Sequence, residues 1–245
     1  MTVTASRQAA SGLGLQPCLL RERYTPPATT GARRSRLVSA AQNVPIVSIE
    51  APFGFGKTTL MSHLVGRGAW LTMHRTLDSP EALTRYLLAA AHQADPRRIP
   101  QANLPLGSID AMTCLTEHLL MPLSKSSAPF TLCIDDLQTV RAPATWQAIT
   151  FLVTHRPTAL RLRLASRTPI SQALDLAIED DEWLRIDAAA LRFRPDEVTR
   201  AFGPEVDDRS SGWAVGLVLE AQHLRNQTRR VGPLSEEPED AWPFA

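Results

Sequence analysis

Short apolar runs alternate with segments of helical periodicity along most of the chain. Five runs predict β-strands, at residues 44–49, 69–73, 130–136, 160–167 and 182–187. Between the first four runs, apolar residues recur every three or four positions, which is the spacing of one face of an α-helix. Strands that alternate with helices predict an α/β fold, with a mainly parallel, doubly wound sheet and helices on both of its faces.

The helix that follows the second run has the most complete start signal. Ser79 suits the capping position, Pro80 suits the first turn, and Glu81 complements the helix dipole. A proline-rich linker comes next. A further helix is predicted after it, with Ser108 preceding Met112 on the apolar face.

The same pattern divides the chain into four parts. Residues 1–32 mix Ser, Thr, Gly, Pro and Arg without a sustained period and are predicted to be a flexible arm. Residues 33–190 carry the alternation of strands and helices and form the predicted main domain. Residues 191–230 are predicted to be a helical lid, the start of a second, all-α unit, and the acidic stretch 231–245 is predicted to be disordered.

The amino-acid composition limits the classes of partner that the chain is expected to bind. The chain has 245 residues, 44% of them hydrophobic, which is enough for a domain with a real core. Lys and Arg number 26 against 25 Asp and Glu, so the net charge of +1 gives no bulk attraction to nucleic acid or to an anionic membrane. Three separated cysteines fit neither a disulfide framework nor a zinc site, and no apolar stretch approaches the roughly 20 residues of a bilayer span. We therefore expect a cytoplasmic protein without a membrane partner.

The sequence APFGFGKTT, residues 51–59, joins the first predicted strand to the first predicted helix. In a phosphate-binding loop, glycines let backbone N–H groups converge on anionic oxygens, and the helix N-terminus adds a positive dipole. Lys57 is predicted to reach the β and γ phosphates, and the Thr58 hydroxyl is predicted to bind Mg²⁺. The candidate cofactor-binding residues are Ala51, Pro52, Phe53, Gly54, Phe55, Gly56, Lys57, Thr58 and Thr59.

Ala51 departs from the usual pattern G-x-x-x-x-G-K-[ST], which begins with glycine. The alternative interpretation of this segment is a tight turn between a strand and a helix that binds no ligand. We favour a phosphate loop because glycine, lysine and two threonines follow in order between a predicted strand and a predicted helix.

Two acids end the third apolar run, TLCIDD. A strand that ends in an acid delivers a carboxylate to the sheet edge, where a loop-bound Mg²⁺ needs a second protein ligand. Asp135 is the predicted metal residue with Thr58, acting directly or through water, and Asp136 would orient or deprotonate a water. Such a pair also marks ordinary strand ends and helix caps, but its position after a phosphate loop favours the metal role.

Arg167 closes the fourth run, LRLRLASR, and is expected at the same edge of the sheet. A positive charge there would sense the γ-phosphate, so Arg167 and Asp136 are the candidate catalytic residues. The alternative is a solvated arginine at a strand end.

Taken together, these motifs resemble the MalT-like, LuxR-type ATP-dependent transcriptional regulators, whose nucleotide module belongs to the STAND ATPases. The resemblance runs from about residue 34 to residue 225. It rests on RSRL before the first strand, APFGFGKTTL, AWLTM followed by LTRYLLAAA, CIDDLQ, LRLASRTP, LRFRPDEV and GWAVGL. The order and spacing of these segments are more specific than any single motif.

The resemblance implies a P-loop NTPase domain followed by helical and winged-helix parts that clamp an adenine nucleotide. It implies ATP and Mg²⁺ as cofactors, with Lys57 and Thr58 on phosphate and metal, Asp135 on Mg²⁺, and Arg167 as the sensor. It also implies a conformational switch with slow ATP hydrolysis at most, an inducer or regulatory protein as partner, and nucleotide-dependent self-association. DNA would be bound only through a helix-turn-helix domain that is absent from this chain.

Three departures from the family pattern keep other functions open. Ala214 stands where the family usually has a proline beside the adenine, Phe53 replaces a small loop residue, and nothing after residue 230 resembles a sensor or DNA-binding domain. These departures favour a degenerate interaction module that no longer binds nucleotide. A fast ATPase motor is a further rival, but no clear catalytic glutamate follows Asp135 and no arginine finger can be assigned.

Overall fold

The computed structural model describes residues 19–28, 31–105, 107–170, 174, 178 and 180–230. The predicted disordered tail at 231–245 and residues 1–18 and 29–30 of the predicted arm lie outside the described residues. Within the described ranges, no helix has both the length and the apolar character needed to cross a lipid bilayer.

Five strands form a central sheet in the order β2-β3-β4-β1-β5. They are β1 (Ile46–Glu50), β2 (Ala69–Thr72), β3 (Phe130–Asp135), β4 (Leu160–Ser166) and β5 (Trp183–Asp187). Every neighbouring pair is parallel. The predicted parallel α/β sheet is therefore confirmed, and each predicted strand agrees with the observed one to within two residues at either end.

Helices cover both faces of this sheet. The helices of the main domain are α1 (Ser35–Ala41), α2 (Lys57–Val65), α3 (Pro80–Ala94), α4 (Ala111–Leu115), α5 (Met121–Ser124) and α6 (Pro143–Thr154). A π-helical turn, Thr116–Leu120, joins α4 to α5. The cap of α4 is Asp110, whose side chain accepts hydrogen bonds from two backbone N–H groups, so this helix begins later than Ser108 led us to expect.

The core lies in two layers because successive strand residues point to opposite faces of a sheet. On one face, Val47 and Ile49 of β1 pack with Leu60 and Met61 of α2, and α1 completes this layer. On the other face, Ile46 belongs to a larger cluster that includes apolar residues of α3, α4, α5 and α6. Both faces of β1 are thus buried, which fits the continuous apolar run in its sequence.

The C-terminal part of the described chain is helical. It contains α7 (Ala188–Leu191), α8 (Pro195–Phe202) and α9 (Ala214–Arg230). A small separate core lies between α8 and α9 and consists of Phe193, Val198, Val206, Leu217 and Ala221. This unit is tied to α1 by an ion pair between Arg36 Nε and Glu197 Oε1 at 3.2 Å.

Part of the segment predicted to be an arm packs on the main domain. Arg21–Arg23 form a short helical turn beside α3. The backbone N–H of Leu20 donates to the Tyr86 hydroxyl at 3.1 Å, and the rings of Tyr24 and Tyr86 meet edge to face. Residues 19–28 therefore contribute one wall of a surface cavity described below.

Candidate phosphate-binding site

The glycine-containing loop lies between β1 and α2, at the carboxyl edge of the parallel sheet. β1 is flanked by β4 and β5, so the chain crosses from one side of β1 to the other on its way to the last strand. In open parallel sheets, ligands bind outside the carboxyl ends of the strands at such a reversal of strand order. The topology therefore brings the predicted loop to the position where this type of sheet forms its ligand site.

Both glycines of the loop have left-handed backbone conformations, with φ of 84° at Gly54 and 78° at Gly56. A Cβ at Gly54 would lie 2.9 Å from the Trp213 ring, and one at Gly56 would lie 2.5 Å from Nη2 of Arg34. We expected glycine here so that a phosphate could approach the backbone. The structure adds a second reason, because the missing side chains would point into protein atoms rather than into the loop's opening.

Lys57 is the first residue of α2 and is only 8% exposed. Its ammonium group donates hydrogen bonds to the carbonyl oxygens of Ala51 at 2.7 Å and Pro52 at 2.9 Å. An ammonium has three N–H donors, so one of them remains for an anion. Burial lowers the pKa of Lys57, and the carboxylate of Asp135 opposes that shift.

Thr58 and Asp135 are in direct contact although they come from different elements. The Thr58 hydroxyl donates to Asp135 Oδ2 at 2.7 Å, and the Asp136 backbone N–H donates to Asp135 Oδ1 at 2.8 Å. Asp135 is 3% exposed, and burial raises the pKa of its carboxyl, with the Thr58 hydrogen bond acting in the opposite direction. The end of β3 and the start of α2 thus share a buried carboxylate next to the loop.

Asp136, Gln138 and Arg167 form a second polar group at the same edge. Asp136 has a left-handed backbone, φ 58°, and its Oδ1 accepts a hydrogen bond from Gln138 Nε2 at 2.7 Å. Gln138 Oε1 in turn accepts from the Arg167 backbone N–H at 2.9 Å, while Arg167 Nη2 lies 3.8 Å from Asp136 Oδ1. The amide of Gln138 therefore bridges the ends of β3 and β4.

The remaining loop residues take different positions. Phe53 is 68% exposed, and the guanidinium of Arg167 lies over its ring at 5.5 Å. Phe55 faces the helical unit, where the guanidinium of Arg192 lies 5.7 Å from its ring centre. The methyl group of Thr59 lies beside Gly31. The ring of Phe53 thus projects mainly towards solvent instead of filling the loop.

Three residues at this site were not predicted to have a role there. Arg34, which is 1% exposed, donates to the carbonyl oxygens of Phe55 and Gly56 at 2.9 and 2.7 Å and to that of Leu191 at 2.7 Å. Trp213 packs on Gly54, and the Val215 N–H donates to the Gly54 carbonyl at 3.1 Å. Gln138 is the third. All three lie within the motifs RSRL, GWAVGL and CIDDLQ, which marked these segments without indicating which contacts they make.

The donors at this edge fit Mg²⁺ and a phosphate chain. Mg²⁺ in nucleotide sites is held by one or two protein oxygens together with waters and phosphate oxygens. Thr58 and Asp135 supply two such oxygens in contact with each other. The described ranges contain no group of three or more His, Cys, Asp or Glu that would suit a metal held by protein alone. The oxygens of Thr58 and Asp135 suit a metal that is shared with a phosphate ligand.

The sheet order, the loop and the acid at the end of β3 define the class of fold: the chain has the α/β fold of P-loop NTPases. No protein-family model matches the chain. Its structure is similar to a Walker-type ATPase of Pyrococcus abyssi at 13% identity and a TM-score of 0.53, covering 80% of this chain and 70% of that one. That similarity shows a shared fold.

Two further solved structures give lower scores. One is a signal transduction ATPase with numerous domains (STAND) that has a tetratricopeptide repeat sensor, from Pyrococcus horikoshii. It has 13% identity and a TM-score of 0.48, and the match covers 83% of this chain but 30% of that chain. The other is the ORC1 protein of Aeropyrum pernix in complex with DNA, with 12% identity and a TM-score of 0.47, covering 82% of this chain and 62% of that one.

Proposed function

We propose that the chain is a switch module that binds Mg-ATP and hydrolyses it slowly at most. The observation that carries the proposal is the hydrogen bond between Thr58 at the start of α2 and the buried Asp135 at the end of β3, with Lys57 beside them. One lysine, one hydroxyl and one carboxylate at a helix N-terminus are the groups that bind a metal-bound triphosphate. Asp136 and Arg167 lie beside this group, as a water-orienting acid and a sensor of the γ-phosphate would.

The proposed conformational change is a change in how the helical unit packs against the loop. The α9 end of that unit already contacts the loop at Gly54, so a ligand in the loop would favour one packing of α9 over another. The resemblance to MalT-like regulators extends this proposal to a transcriptional regulator that responds to an inducer and self-associates when nucleotide is bound. In that proposal, DNA contact belongs to a separate domain and the setting is the cytoplasm.

A degenerate module that has lost nucleotide binding is the second candidate. It is favoured by the two hydrogen bonds that Lys57 makes to carbonyls of its own loop and by the alanine at position 51. A thermal-shift titration with Mg-ATP separates the two candidates. Ligand at 100 times its dissociation constant stabilises a binding protein by about 2.7 kcal/mol, whereas a degenerate module gains nothing.

Replacing the loop lysine tests the site itself. We expect Lys57→Ala to abolish Mg-ATP binding measured by titration calorimetry, because the ammonium that faces the phosphates is lost. Lys125→Ala is the matched control, since Lys125 is an exposed lysine that follows α5. Circular dichroism should give folded spectra for both variants. Equal affinities in Lys57→Ala and the control would overturn the site, and rapid steady-state phosphate release would exclude the slow switch.

A further inference from the structure

A cavity of about 530 Å³ lies on the outer side of α3, between that helix, the segment at 19–24 and the linker at 96–104. Small-molecule sites in proteins are usually 300–1,000 Å³. α3 packs on the edge strand β2, three positions away from β1 in the sheet. None of the residues lining the cavity belongs to the phosphate loop or to the ends of β3 and β4. The cavity is thus a separate feature of the molecule.

The walls of this cavity are partly apolar. The apolar side chains of α3 that line the cavity are Leu88, which is 4% exposed, and Ala89. The linker adds the side chains of Ala102 and Leu104. Tyr24 closes one side and is held in place by its edge-to-face contact with Tyr86. Carbon surface of this kind accommodates an aliphatic or aromatic body and gains free energy when water is removed from it.

The charged groups that line the cavity in the described part of the chain are two arginines. Arg21 and Arg85 both line it, and the described lining residues include no Asp or Glu. Arg21 Nε donates to Gln93 Oε1 at 3.4 Å. Arg85 Nη2 donates to the carbonyl oxygens of Pro105 and Gly107, which fixes the guanidinium. The other N–H groups of the two guanidinium groups have no hydrogen-bond partner among the described residues.

His92 adds a further polar atom. Its Nδ1 lies 2.9 Å from the carbonyl oxygen of Ile99, and because a carbonyl only accepts, Nδ1 must carry the proton in this contact. In the neutral ring the second nitrogen, Nε2, is then a hydrogen-bond acceptor, which suits a hydroxyl or N–H group of a ligand rather than its anionic group. Two guanidinium groups and one imidazole thus line a partly apolar cavity in a chain whose overall charge is close to balanced.

We propose that this cavity binds a small amphipathic anion, a molecule with one carboxylate, sulfonate or phosphate group on an aromatic or aliphatic body. The anionic group pairs with Arg21 and Arg85, and the body lies against Leu88, Ala89 and Leu104. A guanidinium and an anionic oxygen form a charge-assisted hydrogen bond, which is among the stronger polar contacts in proteins. This proposal does not depend on the phosphate loop.

The probe for the experiment is anilinonaphthalene sulfonate, an apolar ring system with one anionic group, which fluoresces when it leaves water. We expect saturable binding of one probe molecule per chain. Phenylnaphthylamine, which has the same rings without the sulfonate, should bind about tenfold more weakly, since a charged hydrogen bond is lost. Inorganic phosphate, which has no apolar body, should not compete at concentrations that leave the fold intact.

Two variants and their matched controls locate the probe. Arg21→Glu should weaken probe binding about tenfold, while Arg23→Glu, the same charge change two residues away and outside the lining, should leave it within twofold. Ala89→Trp should remove binding by filling the cavity, while Ala201→Trp on the exposed surface of α8 should retain it. Lys57→Ala should bind the probe like the unaltered chain, so a failure of this proposal and a failure of the nucleotide site remain distinguishable.

Thermal melts of every variant accompany the titrations. Arg21 is exposed, so Arg21→Glu keeps the test valid even if Ala89→Trp fails to fold. Unchanged affinity in Arg21→Glu overturns the proposal. So does equal affinity for the neutral probe, binding of many probe molecules without saturation, or absence of probe binding to the unaltered chain.

Discussion

At the scale of single residues, the buried carboxylate of Asp135 dominates the candidate site. Its two oxygens accept hydrogen bonds from the Thr58 hydroxyl and the Asp136 N–H, yet burial still raises the pKa of the group. A carboxylate that keeps its charge in such a place must be stabilised by something positive. Lys57 supplies part of that stabilisation, and a bound Mg²⁺ would supply more.

The raised pKa of Asp135 predicts how its replacement changes stability with pH. The folded state takes up a proton more readily than the unfolded state, so Asp135 contributes stability below the usual aspartate pKa and loses that contribution as pH rises through the folded value. The free energy of unfolding of the unaltered chain, relative to Asp135→Asn, should therefore increase as pH falls from neutral. Urea unfolding at several pH values measures this difference.

The control for that experiment is Asp196→Asn, at an exposed carboxylate on α8. Asp196 is 64% exposed, so this variant controls for the loss of one surface charge. If the stability curves of the unaltered chain and of Asp135→Asn ran parallel across the whole range, the electrostatic description of the site would be wrong.

The residues of the site differ in how far the sequence alone reveals them. Lys57, Thr58 and Asp135 belong to short local patterns whose chemistry is encoded in adjacent positions, so a single sequence suffices to select them. Gln138 accepts a hydrogen bond from the Arg167 backbone N–H only because β4 lies next to β3 in the sheet. That neighbour relation is a property of the folded sheet and has no counterpart in the local sequence.

At the scale of elements, the side chain of Arg34 stabilises the loop between β1 and α2. This side chain is almost completely buried and donates to two loop carbonyls and to the end of α7. Burial lowers the pKa of Arg34 to about 10, a value at which the guanidinium still carries its charge at neutral pH. One side chain at the start of α1 thus links the loop to the helical unit.

Removing Arg34 should loosen this link. Arg34→Ala would remove the donor of the Phe55 and Leu191 carbonyl oxygens, whereas the Gly56 carbonyl would keep its hydrogen bond from the Leu60 N–H. We expect a loss of about 3 kcal/mol in the free energy of unfolding, since each buried unsatisfied group costs about 1–3 kcal/mol. Arg33→Ala, at the exposed neighbouring arginine, should change stability by about 0.5 kcal/mol or less. Chemical denaturation measures both. Similar values for the two variants would contradict the linking role of Arg34.

The sequence predicts the elements better than it predicts how they contact one another. Apolar runs of β-strand length, helix start signals and glycine positions are local, which explains why five strands and their order along the chain follow from the pattern. The alternation in LRLRLASR suggests a strand with a polar face, but Arg163 is 1% exposed and donates to the carbonyl oxygens of Ala41 and Val44. An arginine can line a buried face when backbone carbonyls of a neighbouring element accept its protons, and only the tertiary structure supplies them.

At the scale of the whole molecule, the helical unit contacts the candidate phosphate-binding loop. Trp213 lies against Gly54, Ala214 approaches Gly56, and the Val215 N–H donates to the Gly54 carbonyl. The loop is therefore supported on one side by Arg34 and on the other by the start of α9. We therefore expect a ligand that changes the conformation of the loop to change the free energy of docking α9, and the reverse then holds by linkage.

That reciprocity gives the last prediction. Trp213→Ala removes the ring that supports Gly54, so the loop becomes less ordered and Mg-ATP should bind about fivefold more weakly, a typical size for coupling between sites. Trp146→Ala removes an equally large, partly buried ring from α6 and should leave the affinity unchanged. Calorimetry measures both affinities, and hydrogen exchange at the Val215 amide should slow when Mg-ATP is added to the unaltered chain. If Trp213→Ala bound Mg-ATP as tightly as Trp146→Ala, and the Val215 amide exchanged at the same rate with and without nucleotide, the loop and α9 would be energetically independent and the proposed switch would have no route to the helical unit.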